Sequence, residues 1–317
     1  RAADRRTSGS TEDMNAIVEF IQACAASGAL FWSLLALVAA PLFAWIAVRR
    51  LAGVVKRIEE DRAAQASLAV SGAVLPGVAF IAASATILIT FARTGCLATV
   101  GGRVIFAVVA LLLASSLLRA AILARRRAGG IAQLISGSAH MGIRRAGLPV
   151  LRVPSATPFV AIARHKRSAI LISDSALQTL SAAEREAAFA HELAHHRRLD
   201  PLLDGVLSFC TDLVPLPTND LINIYHQARE FAADRIACRE HDASDLAAAI
   251  LRVAAAPAHA AALGGADTRA RLRALLLPGD RTRRGSRALA VGLLASIVGS
   301  GALPIVVASL APRCLAM

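Results

Sequence analysis

AAFAHELAHHRRLDPLLDGV, residues 187–206, places His191, Glu192 and His195 within five positions of an otherwise apolar and basic run. Ser181-Ala182-Ala183-Glu184 just upstream reads as a capping box, in which serine and glutamate satisfy each other's orphan amides. The helix so started runs through His195 and stops before Asp200-Pro201. On a helix, residues four apart stack on one face. His191 and His195 therefore aim two imidazoles at one point, the spacing that suits a tetrahedral zinc ion. Glu192 is adjacent and unsuited as a ligand. Its carboxylate is placed to take a proton from water, the general-base role in an H-E-x-x-H motif. Asp220–Glu240 reads as a second long helix, on which Glu230 and Asp234 again lie four apart. Glu230 is the best third ligand, and Asp234 is placed to accept a ring N–H of a ligating histidine. His226 shares their face and is the alternative ligand, whereas His196 points elsewhere on its helix.

The chain of 317 residues is 56% hydrophobic and 18% charged, with a mean hydropathy of +0.56. A soluble domain carries about 25% charged residues, so the membrane class is expected. Spans are read at 28–48, 67–92, 104–118 and 288–311. Each approaches the roughly 20 apolar residues that a crossing needs, the third by including Arg119, which can snorkel to the headgroups. The net charge of +13 does not mark a nucleic-acid binder: residues 129–285 hold 19 basic and 15 acidic side chains, a balance of +4. The excess flanks the spans, at Arg49, Arg50, Lys56, Arg57 and Arg62, at Arg125–Arg127, and at Arg281, Arg283, Arg284 and Arg287. By the positive-inside rule this places 49–66 and 129–285 in the cytoplasm, with both termini and the 93–103 loop outside.

The expected architecture is an α-helical integral protein of the inner (plasma) membrane, with about four transmembrane helices and a cytoplasmic α+β zincin-like catalytic domain. Its parts are a three-span unit (15–128), a zinc domain (129–285) and a closing span (286–317). Within the zinc domain PVLRVPS, PFVAIA and SAILIS read as strands, the last two forming a hairpin through RHKR, 164–167. The apolar 201–216 segment carries Asp204 and Asp212, which fits a helix held near the membrane and not a fifth span. Residues 1–13 read as a polar lead-in. Cys24, Cys96 and Cys314 fall on the outer side, where one bridge can form, and Cys210 and Cys238 read as buried thiols.

HELAHHRRLDPL followed by REFAADR resembles the membrane-embedded gluzincin metallopeptidases, the BlaR/MecR-type antirepressor peptidases and, further away, the HtpX-type membrane proteases. The resemblance covers roughly residues 150–280 and the flanking spans. It implies one zinc ion per chain held by His191, His195 and Glu230, with Glu192 as catalytic base and Asp234 behind the ligands. It also implies that PFVAIA is an edge strand pairing with extended substrate. Arg271, in RARLRALL, matches an arginine-plus-hydrophobic element of these families and is a candidate for the active-site rim, and His259 for stabilising an oxyanion. Antibiotic-sensing members carry an extracellular binding domain after the last span. This sequence has six residues after Ala311, so direct antibiotic reception is not expected.

The activity implied is zinc-dependent endoproteolysis of a cytoplasmic or membrane-proximal polypeptide, such as a transcriptional repressor or the peptidase itself, in regulated signalling. Two alternatives are membrane-protein quality control and a non-catalytic signalling scaffold with a structural zinc site. The expected partners are a polypeptide and the lipid bilayer, with no nucleic acid. Oligomeric state is not set by the sequence.

Overall fold

A computed structural model describes residues 62–93, 96–98, 100–214, 219–255 and 265–277, together with positions 46 and 50. The expected spans at 28–48 and 288–311, the lead-in, His259, Cys24 and Cys314 lie outside the described residues.

Predominantly apolar sequence gives two long helices: α1 (Arg62–Arg93) and α2 (Val100–Ser136), with a 3-10 turn at Cys96–Ala98 between them. Both are long and apolar enough to cross a membrane, over Ala69–Arg93 and Val100–Ser136, with hydropathies of 2.1 and 2.3. They meet through Ile87, Phe91 and Val109. Along α2 the side chains of Val104, Leu111 and Leu118 are 53%, 70% and 62% exposed. An apolar stripe left uncovered among the described residues is costly in water and costs nothing in hydrocarbon.

The 37 residues of α2 rise about 55 Å at 1.5 Å each, well beyond a hydrocarbon core of about 30 Å. Its last turns reach the sheet, where Ile131 and Ile135 pack on Leu151, Val153, Ala169 and Leu171. The expected third span, 104–118, is thus part of a much longer helix. The Arg119 guanidinium donates to the carbonyls of Asp212 and Leu213, and Arg127 pairs with the Asp212 carboxylate.

Four strands follow: β1 (Ala139–Arg145), β2 (Leu148–Val153), β3 (Val160–Arg164) and β4 (Ser168–Ser173), ordered β1-β2-β4-β3. β2 and β4 run parallel, and the other pairs are antiparallel. The RHKR hairpin is present, and PFVAIA supplies β3 at an edge of the sheet. β1 was not foreseen. Gly142 (φ 70°) sits at a register shift between His140 and Arg144, which breaks the alternation that marks a strand. Its turn, with Ala146 at φ 47° and Gly147 at φ 85°, has the two left-handed positions of a type I′ hairpin without the usual Asn-Gly.

Six helices complete the described chain: α3 (Asp174–Thr179), α4 (Ala182–Arg197), α5 (Asp200–Leu213), α6 (Asn219–Ala237), α7 (Ala243–Ala254) and α8 (Gly265–Leu276). The Ser173 hydroxyl accepts from Phe159 N at 2.9 Å and Ala176 N at 3.1 Å, tying the entry of β3 to the start of α3. α4 begins on the expected capping box and lays Phe189 and Leu193 over Val150, Ile170 and Ile172 of the sheet. α5 and α6 pack on α1, where Leu207, Leu221 and Tyr225 close over Ala69 and Ala73. Backbones approach closely there: a Cβ on Gly77 would stand 2.8 Å from the carbonyl oxygen of Cys210. Cys210 and Cys238 are free thiols, half-buried and not fully enclosed as the sequence suggested. The protein is therefore mostly helical, with two helices able to cross a membrane and a small mixed sheet.

Candidate metal centre

Each donor of the centre owes its place to a different local cause. α4 presents His191 and His195 on its buried face, 7% and 5% exposed, because the capping box fixes where the helix starts and the sheet fixes which face turns inward. α6 crosses α4 and brings Glu230 to the same point. The Nε2 atoms of His191 and His195 lie 3.1 Å apart, with the rings nearly perpendicular at 83°. Glu230 Oε2 is 3.2 Å from His191 Nε2, and Glu230 Oε1 is 3.4 Å from His195 Nε2. With metal–ligand bonds of 2.0–2.1 Å, the edge of a zinc tetrahedron is about 3.3 Å. The two imidazole nitrogens stand near that spacing, and each has a different oxygen of Glu230 at a similar distance.

The donor chemistry points the same way. Asp234 Oδ1 lies 2.9 Å from His191 Nδ1 and Asp200 Oδ2 lies 2.7 Å from His195 Nδ1. The Asp200 carboxylate holds the proton on His195 Nδ1 and turns the Nε2 lone pair of that ring inward, whereas Asp234 stands at ion-pair distance from His191 Nδ1 without a hydrogen bond to it. Two Nε2 atoms and a carboxylate then converge, an arrangement that favours a cation at their meeting point, whether a metal ion or a proton. The three residues could hold a metal ion, and their chemistry leaves its identity open.

Asp200 is the one orienting group that sequence reasoning missed. It begins α5 directly after Leu199, whose backbone is left-handed at φ 59°. That residue reverses the chain and returns the Asp200 carboxylate, 2% exposed, beneath His195. The available signal was an acid before a proline, which reads more simply as a helix start.

Arg271, from α8, lines the cavity beside the centre and also reaches into it. Its Nε and Nη2 donate to the two oxygens of Asp234 at 2.9 and 2.7 Å, and its Nη1 lies 3.0 Å from Glu230 Oε2. It fixes the third ligand and the Asp234 carboxylate together. On the other side Arg229 pairs with Asp204 of α5 and lies 3.3 Å from Glu230 Oε1. His226 stands apart from the three converging donors: its side chain is 45% exposed, with Nε2 3.4 Å from Asp204 Oδ1. His196 lines a separate cavity with His140 and His165.

Electrostatics follow from this packing. Burial works against the charged form of His191, but Asp234 and Glu230 outweigh it and raise the imidazole to about 9. His195 is likewise raised, its burial overcome by Asp200 and Glu230. Burial disfavours the Glu230 charge too, yet the two histidines and Arg271 hold its carboxyl far below the ordinary carboxylate range. Glu192 moves the opposite way. Burial pushes its carboxyl up, and its Oε2 accepts a hydrogen bond of 2.7 Å from the Ile162 amide of β3.

A cavity of about 630 Å³ opens beside these groups. One wall carries His191, Glu192, Glu230 and Arg271, and the other is apolar, with Ala249, Ile250 and Val253 of α7. The chain matches no protein-family model, no curated protein and no solved structure.

Proposed function

We propose that the protein is an integral-membrane zinc endopeptidase that cuts extended polypeptide segments on the cytoplasmic side. The observation that carries the reading is the convergence of His191, His195 and Glu230, whose donor atoms lie within 4.8 Å of one another, with Glu192 lining the adjoining cavity and bonded to an edge strand. Structural zinc sites are closed by four protein ligands, mostly cysteine. Here there are three candidate donors, and two of them, His191 and Glu230, line a cavity, which favours catalysis over a scaffold.

Zinc held by these three residues would supply Lewis acidity toward a carbonyl oxygen and toward water. The chain's own groups supply the rest. Glu192 takes the proton from water, and a carboxyl raised by burial is better matched to proton transfer near neutral pH than an exposed one. Asp200 holds the His195 imidazole, Asp234 lies beside that of His191, and Arg271 holds Glu230. The apolar wall from α7 receives a substrate side chain.

The uncovered stripe on α2 and the arginine clusters support a multi-pass inner-membrane protein with this site in the cytoplasm. The resemblance to antirepressor peptidases favours regulated cleavage of a soluble repressor, or of the peptidase itself. The test is Glu192→Gln, which keeps the side chain's size and removes its basicity. The purified variant should retain about one zinc per chain and lose hydrolysis of casein. Wild-type hydrolysis by this variant refutes the assignment.

A further inference from the structure

The Glu192 carboxylate is held by the strand that an extended polypeptide would have to use. β3 is an edge strand, bonded on one side to β4 through the pairs Ala161–Leu171 and Ala163–Ala169. Phe159 also turns its carbonyl toward β4, accepting from Ser173 N at 3.1 Å. Residues of an antiparallel strand alternate in the direction of their amides. Val160, Ile162 and Arg164 therefore aim theirs at the free edge. Ile162 N–H does not point into solvent: it donates to Glu192 Oε2 at 2.7 Å. Val160 and Glu192 line the same cavity, so this free edge borders the space that substrate would occupy.

We infer that the Ile162 amide is a positioning group with two successive acceptors. In the substrate-free protein it holds the Glu192 carboxylate. A main-chain carbonyl of an extended polypeptide laid along β3 then takes the donor over and releases Glu192 toward the metal centre. One acceptor replaces another, so the exchange leaves no buried donor unpaired. A peptide too short to present a carbonyl at Ile162 leaves Glu192 engaged. The substrate class is thus an extended chain that runs past the scissile bond as far as Ile162, selected by its backbone and not by one side chain. This rests on the peptidase reading, and it adds a length requirement that a metal centre alone does not impose.

Amide hydrogen exchange, read residue by residue on the full-length, metal-free protein in detergent, tests the contact without any turnover. Ile162 should exchange at least about tenfold faster in Glu192→Ala, with Ala161 and Ala163 unchanged. Glu192→Gln, which keeps an acceptor oxygen, should restore most of the protection. A ten-residue β-casein peptide added to Glu192→Ala should protect Ile162 again, and a four-residue fragment of it should not. Unchanged Ile162 exchange in Glu192→Ala, or equal protection by both peptides, overturns the inference.

Kinetics of the zinc-loaded protein give a second readout. Wild type should turn over the ten-residue peptide with a kcat at least about tenfold above that of the four-residue peptide. Ile162→Pro deletes an amide that is not in the ladder with β4, where an edge strand tolerates proline. This variant should narrow that gap while binding zinc normally, and Ile162→Val should preserve it. A gap retained in Ile162→Pro counts against the inference. If the exchange pattern holds but casein is never cut, the peptidase reading fails and the contact stands.

Discussion

Asp200→Asn isolates one carboxylate whose contribution can be worked out from its surroundings. Asp200 is 2% exposed and its Oδ2 is 2.7 Å from His195 Nδ1. Its other cationic neighbour, Arg198 Nε, is 3.5 Å away on a side chain 38% exposed, and solvent weakens that pair. The charge of Asp200 is thus directed mainly at His195. Asparagine keeps the shape and one acceptor oxygen, so the ring stays in place but its Nε2 becomes a weaker base. Groups that orient a metal-bound histidine contribute about 10–100-fold in affinity, which is about 1.4–2.8 kcal/mol. Asparagine should fall near the lower limit and Asp200→Ala, which also frees the ring to rotate, near the upper. The assay is zinc competition against a chromophoric chelator on the full-length protein in detergent. Glu186→Gln, at a partly exposed pair with Arg145, serves as the control and should leave affinity unchanged. Zinc binding within about threefold of wild type in both Asp200 variants would refute the orienting role and the tautomer argument built on it.

Zinc affinity should fall with acidity. Burial opposes the His191 charge, but Asp234 and Glu230 raise the metal-free imidazole to about 9. Below that pH zinc must displace a proton, at a cost of about tenfold in apparent affinity per pH unit. Competition titrations at pH 8.5 and 6.5 that agree within threefold would contradict this. Glu230→Ala should lose most of the bound zinc and His226→Ala should keep it, as measured by metal analysis; the reverse result would make His226 the third ligand. Gly77→Val should cost about 1–3 kcal/mol, because its Cβ would meet the Cys210 backbone at 2.8 Å. Gly129→Ala, with nothing within 4 Å of the new Cβ, should be neutral or stabilising, and thermal melts in detergent compare the two. Reporter fusions after Arg127 and within 240–280 should read cytoplasmic, and one near Gly95 external; an external signal at 240–280 would overturn the charge argument.

Local chemistry was legible in the chain before any packing. A capping box at Ser181–Glu184 sets the start of α4, and the helical period alone places His191 and His195 on one face. The same period pairs Glu230 with Asp234 on α6. Apolar length marks α1 and α2 as able to cross a membrane, and β-branched runs around RHKR mark the hairpin of β3 and β4. These features depend on neighbours within one or two turns of backbone, which is the range over which a sequence speaks for itself.

What packing alone decided involves groups far apart in the chain or hidden by turn geometry. β1 was concealed by the Gly142 bulge and by a hairpin turn that spends a left-handed conformation on Ala146. Arg119 read only as a snorkelling end residue because its partners, the carbonyls closing α5, are 93 and 94 positions away. Asp200 became an orienting carboxylate only through the left-handed Leu199, a conformation that a branched side chain does not advertise. Arg271, a rim candidate by sequence, also became the tie between Glu230 and Asp234 when α8 packed against α6 and α7. The Ile162–Glu192 hydrogen bond joins a strand edge to a helix, and the direction of a single main-chain amide is set by sheet register, which no local pattern encodes.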